Sequence, residues 1–146
     1  MSPDEFARGL RQLQTVIEKA AALQTEILAE RVAETARNYL GEYQPGWAPL
    51  KEATIARKAT GDSPLLETGE MRDSIDVRRV RYAPDEVLVA QSIGSSMDRA
   101  LFMEEGTTKV PPRPFLSLAL AEHEMDITES LDDVIGEAID VALGLK

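Results

Sequence analysis

The chain has 146 residues, no cysteine, a single histidine, and 16 basic against 26 acidic side chains, for a formal charge of −10. Without cysteine there is no disulfide framework, thiolate metal site, iron–sulfur cluster or cysteine nucleophile, and the length is that of one domain with one substantial core. Hydrophobic residues at 43% and charged residues at 29% separate it from chains too polar to collapse, so a folded protein is expected.

The first six residues, Met1-Ser2-Pro3-Asp4-Glu5-Phe6, carry acids where a signal peptide needs a basic segment, and no apolar run approaches the ~20 residues of a membrane span. A soluble protein made and assembled in the cytoplasm is expected. From Pro3 to Leu40 no further proline intervenes, and Phe6, Leu10, Leu13, Ile17, Ala20 and Ile27 recur at spacings that put them on one face of a helix. Pro3 suits a first turn, Asp4 and Glu5 suit the positive end of the helix dipole, and Gly41 suits a stop. Gly9 is the one residue expected to fray or bend it, and the stripe drifts toward Leu28, Val32, Ala36 and Tyr39. Such a helix is about 55 Å long, more than one small core can cover, so part of its stripe is expected to meet another subunit. A coiled-coil dimer would satisfy the same pattern.

Residues 42–49 form a turn-rich connector in which Pro45-Gly46 marks a turn and Trp47, the only tryptophan, anchors the loop. A short helix is expected over Leu50–Ala59, with Ile55 inward and Lys51, Arg57 and Lys58 outward, ended by Thr60-Gly61-Asp62-Ser63-Pro64. Thr68 can cap a helical turn starting at Gly69 and Glu70. Period-two patterning then places Ile75, Val77 and Arg79 on one side of a strand and Asp76, Arg78 and Val80 on the other. A turn at Tyr82–Glu86 leads to a second strand from Val87 to Ile93, which makes a β-hairpin. Met97–Glu105 reads as partly helical and Gly106–Val110 as a short third strand. Pro111-Pro112-Arg113-Pro114 then forbids regular structure. A second helical region starts at Phe115, with an interruption expected at Ile127–Ser130 and Ser130 as a cap for a helix from Leu131 onward. The whole reads as one α+β domain: a long N-terminal helix (1–41), a loop with short helices (42–74), a small antiparallel sheet built on a β-hairpin and its loop (75–113), and an acidic C-terminal helical region (114–146) packed on the sheet.

Charge is uneven along this order. Residues 1–41, 42–82 and 83–113 carry five, seven and three basic groups against six, seven and five acids, whereas 114–146 has one basic group and eight acids. The one clustered basic run is Arg78-Arg79-Val80-Arg81, which a solvated sheet face explains, so a phosphate-gripping DNA interface is disfavoured. His123 sits among Glu122, Glu124 and Asp126, but a zincin helix needs two histidines four apart, and a solvated histidine on an acidic helix is the simpler reading. No Gly-x-Ser-x-Gly elbow surrounds Ser74, Ser92 or Ser117, the adjacent acids Glu104–Glu105 and Asp132–Asp133 diverge, and no phosphate-binding glycine loop occurs. No catalytic, cofactor-binding or metal-ligating residue is assigned, and no cofactor or small-molecule substrate is expected.

Four local motifs occur in a telling order: Trp47-Ala48-Pro49-Leu50; Thr54-Ile55-Ala56-Arg57-Lys58; Leu65-Leu66-Glu67-Thr68-Gly69-Glu70-Met71-Arg72-Asp73-Ser74-Ile75; and Glu105-Gly106-Thr107 before Pro111-Pro112-Arg113-Pro114-Phe115-Leu116. Over about residues 40–120 the chain resembles the tail-completion proteins of tailed bacteriophages, the phage virion morphogenesis family that also gathers neck and head–tail joining proteins. Many relatives place an aromatic residue just before the glycine where this chain has Glu105.

Each motif also has a plain physical reading. Leu66 to Gly69 reads as a buried leucine followed by a helix start that needs a close backbone approach. Arg113-Pro114-Phe115 fixes the angle at which Phe115 and Leu116 enter the core, leaving Arg113 to pair with a carboxylate.

The resemblance implies a structural virion protein, assembled in the host cytoplasm, that completes the head-proximal end of the tail and joins it to the portal-connector complex. Its implied partners are its own copies in a ring, commonly sixfold, the tail tube or terminator, and connector proteins. DNA would pass through the lumen without specific binding, which acids of 114–146 facing that lumen would favour. A tail terminator that caps tube length, a cytoplasmic dimeric regulatory or adaptor module, and a hydrolase using acidic residues are the alternatives. Leu10, Leu13, Ile17, Trp47, Arg113 and Phe115 are the expected subunit or partner contacts.

Overall fold

The structure, a computed structural model, describes residues 1–81 and 89–145. The expected turn at Tyr82–Glu86, the start of the second strand at Val87 and Leu88, and Lys146 lie outside the described residues. In chain order the elements are α1 (Pro3–Tyr39), α2 (Glu52–Arg57), α3 (Glu70–Asp73), β1 (Ile75–Arg81), β2 (Val89–Ser95), α4 (Asp98–Glu105) and α5 (Leu116–Ala142). β1 and β2 pair in a two-stranded antiparallel sheet on which α5 packs, the α+β arrangement expected.

α1 starts with a reciprocal capping box. The Ser2 amide donates to Glu5 Oε2 at 2.7 Å, and the Glu5 amide donates to Ser2 Oγ at 3.2 Å, so two donors that lack helical partners are satisfied together. The helix runs 37 residues to Tyr39, and the chain turns away at Gly41, whose φ of +100° no side-chain-bearing residue adopts readily. The Gly41 amide leaves the helix to donate to the Pro64 carbonyl at 2.7 Å. A Cβ on Gly41 would lie 2.9 Å from Leu66 Cδ2. The close approach expected near the Leu66–Gly69 motif is therefore made against Gly41, with Leu66 half-buried. Gly9 stays helical with open space around it.

Three expectations are corrected. Residues 106–110 are not a strand: the Thr107 amide donates to the Val110 carbonyl at 2.8 Å, and Thr107 Oγ1 accepts from the amides of Lys109 and Val110. Those groups are used within a turn and are not offered to a ladder. α5 runs unbroken for 27 residues. Thr128 lies inside the helix with its hydroxyl donating back to the Glu124 carbonyl at 3.1 Å, and Ser130 is mid-helix and caps nothing. Lys58, expected outward, is half-buried and donates to the Ser63 carbonyl, and burial pulls its ammonium below the ordinary lysine value.

The described residues form two compact units, one of 29–78 and 92–123, the other of 1–28, 79–91 and 124–146. The first holds most of the dry interior. Ala29, Val32, Ala33 and Ala36 present one buried face of α1, and Leu40 just after it, with Trp47, Met71, Ile75, Ala100, Phe115 and Ala119, completes that core. Alanines at 29, 33 and 36 keep this face thin, which permits close packing around Phe115, Ile75 and Val32, the largest enclosed nonpolar side chains apart from Pro64. The second unit, among its described residues, buries only Leu28 and Ala138 to the same degree, while Phe6, Leu10, Leu23 and Ile27 stay 57%, 50%, 63% and 43% exposed.

Candidate functional site

The motif residues converge within the 29–78/92–123 unit, where they interlock. Arg113 is 5% exposed. Its Nε and Nη2 donate to the Ala48 carbonyl at 3.1 and 2.8 Å, and Nη2 also donates to the Pro49 carbonyl at 3.4 Å. The expected carboxylate partner is thus replaced by main-chain oxygens of the Trp47-Ala48-Pro49 connector, which a planar guanidinium can reach as a fork. Trp47 returns the link, its Nε1 donating to the Pro114 carbonyl at 3.3 Å, and the Arg113 amide donates to the Met103 carbonyl at 2.7 Å. The connector after α1 and the proline-rich turn before α5 therefore hold each other.

Glu104 completes the lock. Oε2 accepts the amides of Phe115 and Leu116 at 2.8 and 2.9 Å, and Oε1 accepts the amide of Ser117 at 2.9 Å together with its hydroxyl. A carboxylate from α4 thereby caps the positive end of α5, a role usually taken by the residue just before the helix. Burial pushes this carboxyl up, but the Ser117 hydroxyl and the three amides outweigh it and hold the group below its ordinary value. The surface acidity expected at Glu104–Glu105 holds only for Glu105, which is exposed. Further ties run from α1: Arg37 Nη2 donates to the Ile75 carbonyl at 2.8 Å, the Tyr39 hydroxyl donates to Glu122, and Thr35 Oγ1 pairs with His123 Nε2 at 2.7 Å. His123 is therefore half-buried and bonded, not solvated.

Beside this lock lies a cleft of about 450 Å³. Leu50, Leu65, Met71, Met103 and Val110 give it an apolar lining, and Lys51, Arg57, Lys58, Arg99, Lys109 and Arg113 bring six cations against the single acid Glu67. Three of the cations are engaged: Arg113 on the connector carbonyls, Lys58 on Ser63, and Arg99 on Glu70 at 3.3 Å. Lys51, Arg57 and Lys109 are exposed and enter no ion pair among the described residues. Leu65 shapes the wall with a φ of +60°, a left-handed conformation that costs a branched residue about 1 kcal/mol or more. A cationic concavity on a chain of charge −10 concentrates a field that attracts anionic groups, and its apolar floor favours groups that carry hydrocarbon with them.

Of the expected contact residues, Trp47, Arg113 and Phe115 are interior to this unit, with their polar atoms bonded within the chain. Leu10 is exposed, and Leu13 and Ile17 are partly so. Ser74 Oγ donates to the Met71 carbonyl and meets Ser95 Oγ, while Ser117 meets Glu104, so neither hydroxyl is bonded to His123. Among the described residues no three His, Asp or Glu side chains are grouped to hold a metal ion, and no helix is long and apolar enough to cross a membrane. Comparison with protein-family models, with curated proteins and with solved structures found no match.

Proposed function

We propose that this chain is a structural subunit of a tailed-phage neck, completing the head-proximal end of the tail and joining it to the portal-connector complex as a ring of copies around the DNA channel. The motifs that resemble the tail-completion family carry the head–tail part of this reading. One structural observation supports the assembly part: the unit of 1–28, 79–91 and 124–146 leaves Phe6, Leu10, Leu23 and Ile27 in water on α1 and Met125, Val141, Leu143 and Leu145 on and after α5. Scattered apolar residues on a surface are ordinary, but rows of them beside so small a dry interior are the mark of a surface completed by another chain.

The assembly part is tested by sedimentation of the purified protein with Leu13→Asp and Ile17→Asp together, and separately with Phe6→Ser and Leu10→Ser. Loss of higher-order species with unchanged Trp47 emission is expected, because Trp47 lies in the other unit. Loss of folding would show the row to be intramolecular core. The head–tail part is tested by electron microscopy of particles made without this protein. Full heads beside separate tails of normal length are expected. Tails of uncontrolled length would assign termination, and normal particles would refute both.

A further inference from the structure

The cleft and the last turns of α5 are complementary, and we infer that the cationic cleft of one copy receives the acidic, leucine-bearing end of α5 from a second copy of this chain. At 100° per residue, Glu129, Asp133 and Glu137 fall on one face of α5, with Leu143 beside them and Val141 at its edge. All five are exposed, Val141 and Leu143 at 56% and 59%. Leu145, 69% exposed, comes after a turn in which Gly144, at φ +72°, closes the helix and the Leu145 amide donates to the Asp140 carbonyl at 2.8 Å. The segment thus presents carboxylates first and hydrocarbon last.

The cleft presents the same chemistries with opposite charge. Lys51, Arg57 and Lys109 stand exposed, while Leu50, Leu65 and Met103 line the space between. A volume of about 450 Å³ admits a few side chains, not a whole helix. Leu143 and Leu145 enter it, and the carboxylates meet its cations. A nucleic-acid strand would use the cations but leave the apolar lining unmatched. The contact is heterologous, a cleft on one copy and a tail on the next, which is the kind that closes rings or propagates filaments. It rests on the reading that the chain self-associates, and it makes Asp133 and Glu137 contact residues instead of lumen lining.

Two variant sets test it by sedimentation of the full chain: one with Lys51→Glu, Arg57→Glu and Lys109→Glu, the other with Glu129→Lys, Asp133→Lys and Glu137→Lys. Each alone is expected to weaken self-association by about tenfold or more, with Trp47 emission unchanged because every substituted side chain is exposed. An equimolar mixture is expected to regain assembly, since the native tail of the first variant meets the native cleft of the second and the lysine-bearing tail of the second meets the glutamate-bearing cleft of the first. No gain on mixing counts against the contact. Wild-type association should weaken from 0.05 to 0.5 M salt. Copies of charge −10 joined only through apolar rows would do the reverse, because salt screens their repulsion.

The milder Lys51→Gln and Arg57→Gln pair should show a smaller loss in the same direction. If both charge-reversed sets assemble like wild type while Leu13→Asp with Ile17→Asp does not, the docking contact is refuted and self-association stands. A wild-type chain that is monomeric throughout refutes both. Unchanged assembly with lost binding of a single-stranded oligonucleotide overturns the docking contact and gives the cleft to nucleic acid.

Discussion

Replacing Glu104 isolates what one side chain does for the fold. Glu104→Ala removes the acceptor for three amides and a hydroxyl at the start of α5. Loss of a single capping acceptor costs about 0.5–2 kcal/mol, and bonds to a charged acceptor are worth about 1.5–3 kcal/mol each before water replaces some of them. The amides of Phe115 and Leu116 are part-buried and that of Ser117 is exposed, so water replaces the last most readily. About 3 kcal/mol in total is expected, with roughly half that for Glu104→Gln, which keeps one acceptor but loses the charge. For a chain of this length 3 kcal/mol corresponds to a fall in Tm of about 9–12 °C, or about 1.5 M in the urea midpoint at a slope near 2 kcal/mol/M. Trp47 emission is a direct assay, because its indole is bonded to the carbonyl one residue before Phe115. A carboxyl held below its ordinary value of 4.5 in the folded chain contributes its full share above that value and loses it as pH falls toward the folded one. The gap between wild type and Glu104→Gln is therefore widest at neutral pH and closes on acidification below about 4.5. A gap under ~0.5 kcal/mol at pH 7, or one that does not change with pH, would refute the capping role.

The other substitutions read different parts of the same lock. Arg113→Lys should lower stability by about 2 kcal/mol, because one ammonium cannot reproduce the fork on the Ala48 and Pro49 carbonyls; equal urea midpoints would count against it. Gly106→Ala should cost about 3 kcal/mol or more, since its φ of +78° and ψ of 171° suit only glycine and a Cβ would sit 2.8 Å from Pro112 N. Gly61→Ala, with φ +66° but open space around it, should cost only about 1 kcal/mol in the same titration. Equal losses at the two glycines would show that the close approach to Pro112 relaxes freely.

Legibility in the sequence tracks the range of the interactions. α1 is readable from spacing and proline placement because a 37-residue helix is specified locally, and its capping box at Ser2 and Glu5 stands in the chain as a Ser-x-x-Glu pattern that could have been used. The hairpin is readable from alternation. The third strand fails because Gly106–Val110 has β-like residue types but a threonine hydroxyl that claims the strand's own amides. The break in α5 fails because a short polar run need not end a helix whose apolar spacing continues on both sides; the Thr128 hydroxyl is accommodated on the Glu124 carbonyl. Glu104 looks like surface acidity because its partners are eleven to thirteen residues away. The cleft is invisible for the same reason. Its cations come from separated positions between Lys51 and Arg113, none of them in the one basic run the sequence shows.

The two units differ in what they lack. In the 29–78/92–123 unit, polar groups that burial would penalise find partners inside the chain: Arg113 on carbonyls, Glu104 on amides, Thr35 on His123, and no buried side-chain nitrogen or oxygen among the described residues lacks one. Such a body gains little polar stabilisation for its interior from a neighbour; what its surface leaves open includes the cleft cations outside any ion pair, Lys51, Arg57 and Lys109, and the exposed apolar side chains of Leu101, Phe102 and Leu120. The unit of 1–28, 79–91 and 124–146 has little dry interior of its own among the described residues. Leu28 and Ala138 are its only deeply buried apolar residues among those described, and at about 25 cal/mol per Å² its exposed leucines and valine gain by leaving water, whatever covers them. The cleft attracts anions and the end of α5 carries hydrocarbon that gains by leaving water, and a segment with both acids and leucines can answer both in a single contact. In the docking contact proposed above, that segment is the end of α5 of a second copy, and the pairing needs no second kind of chain.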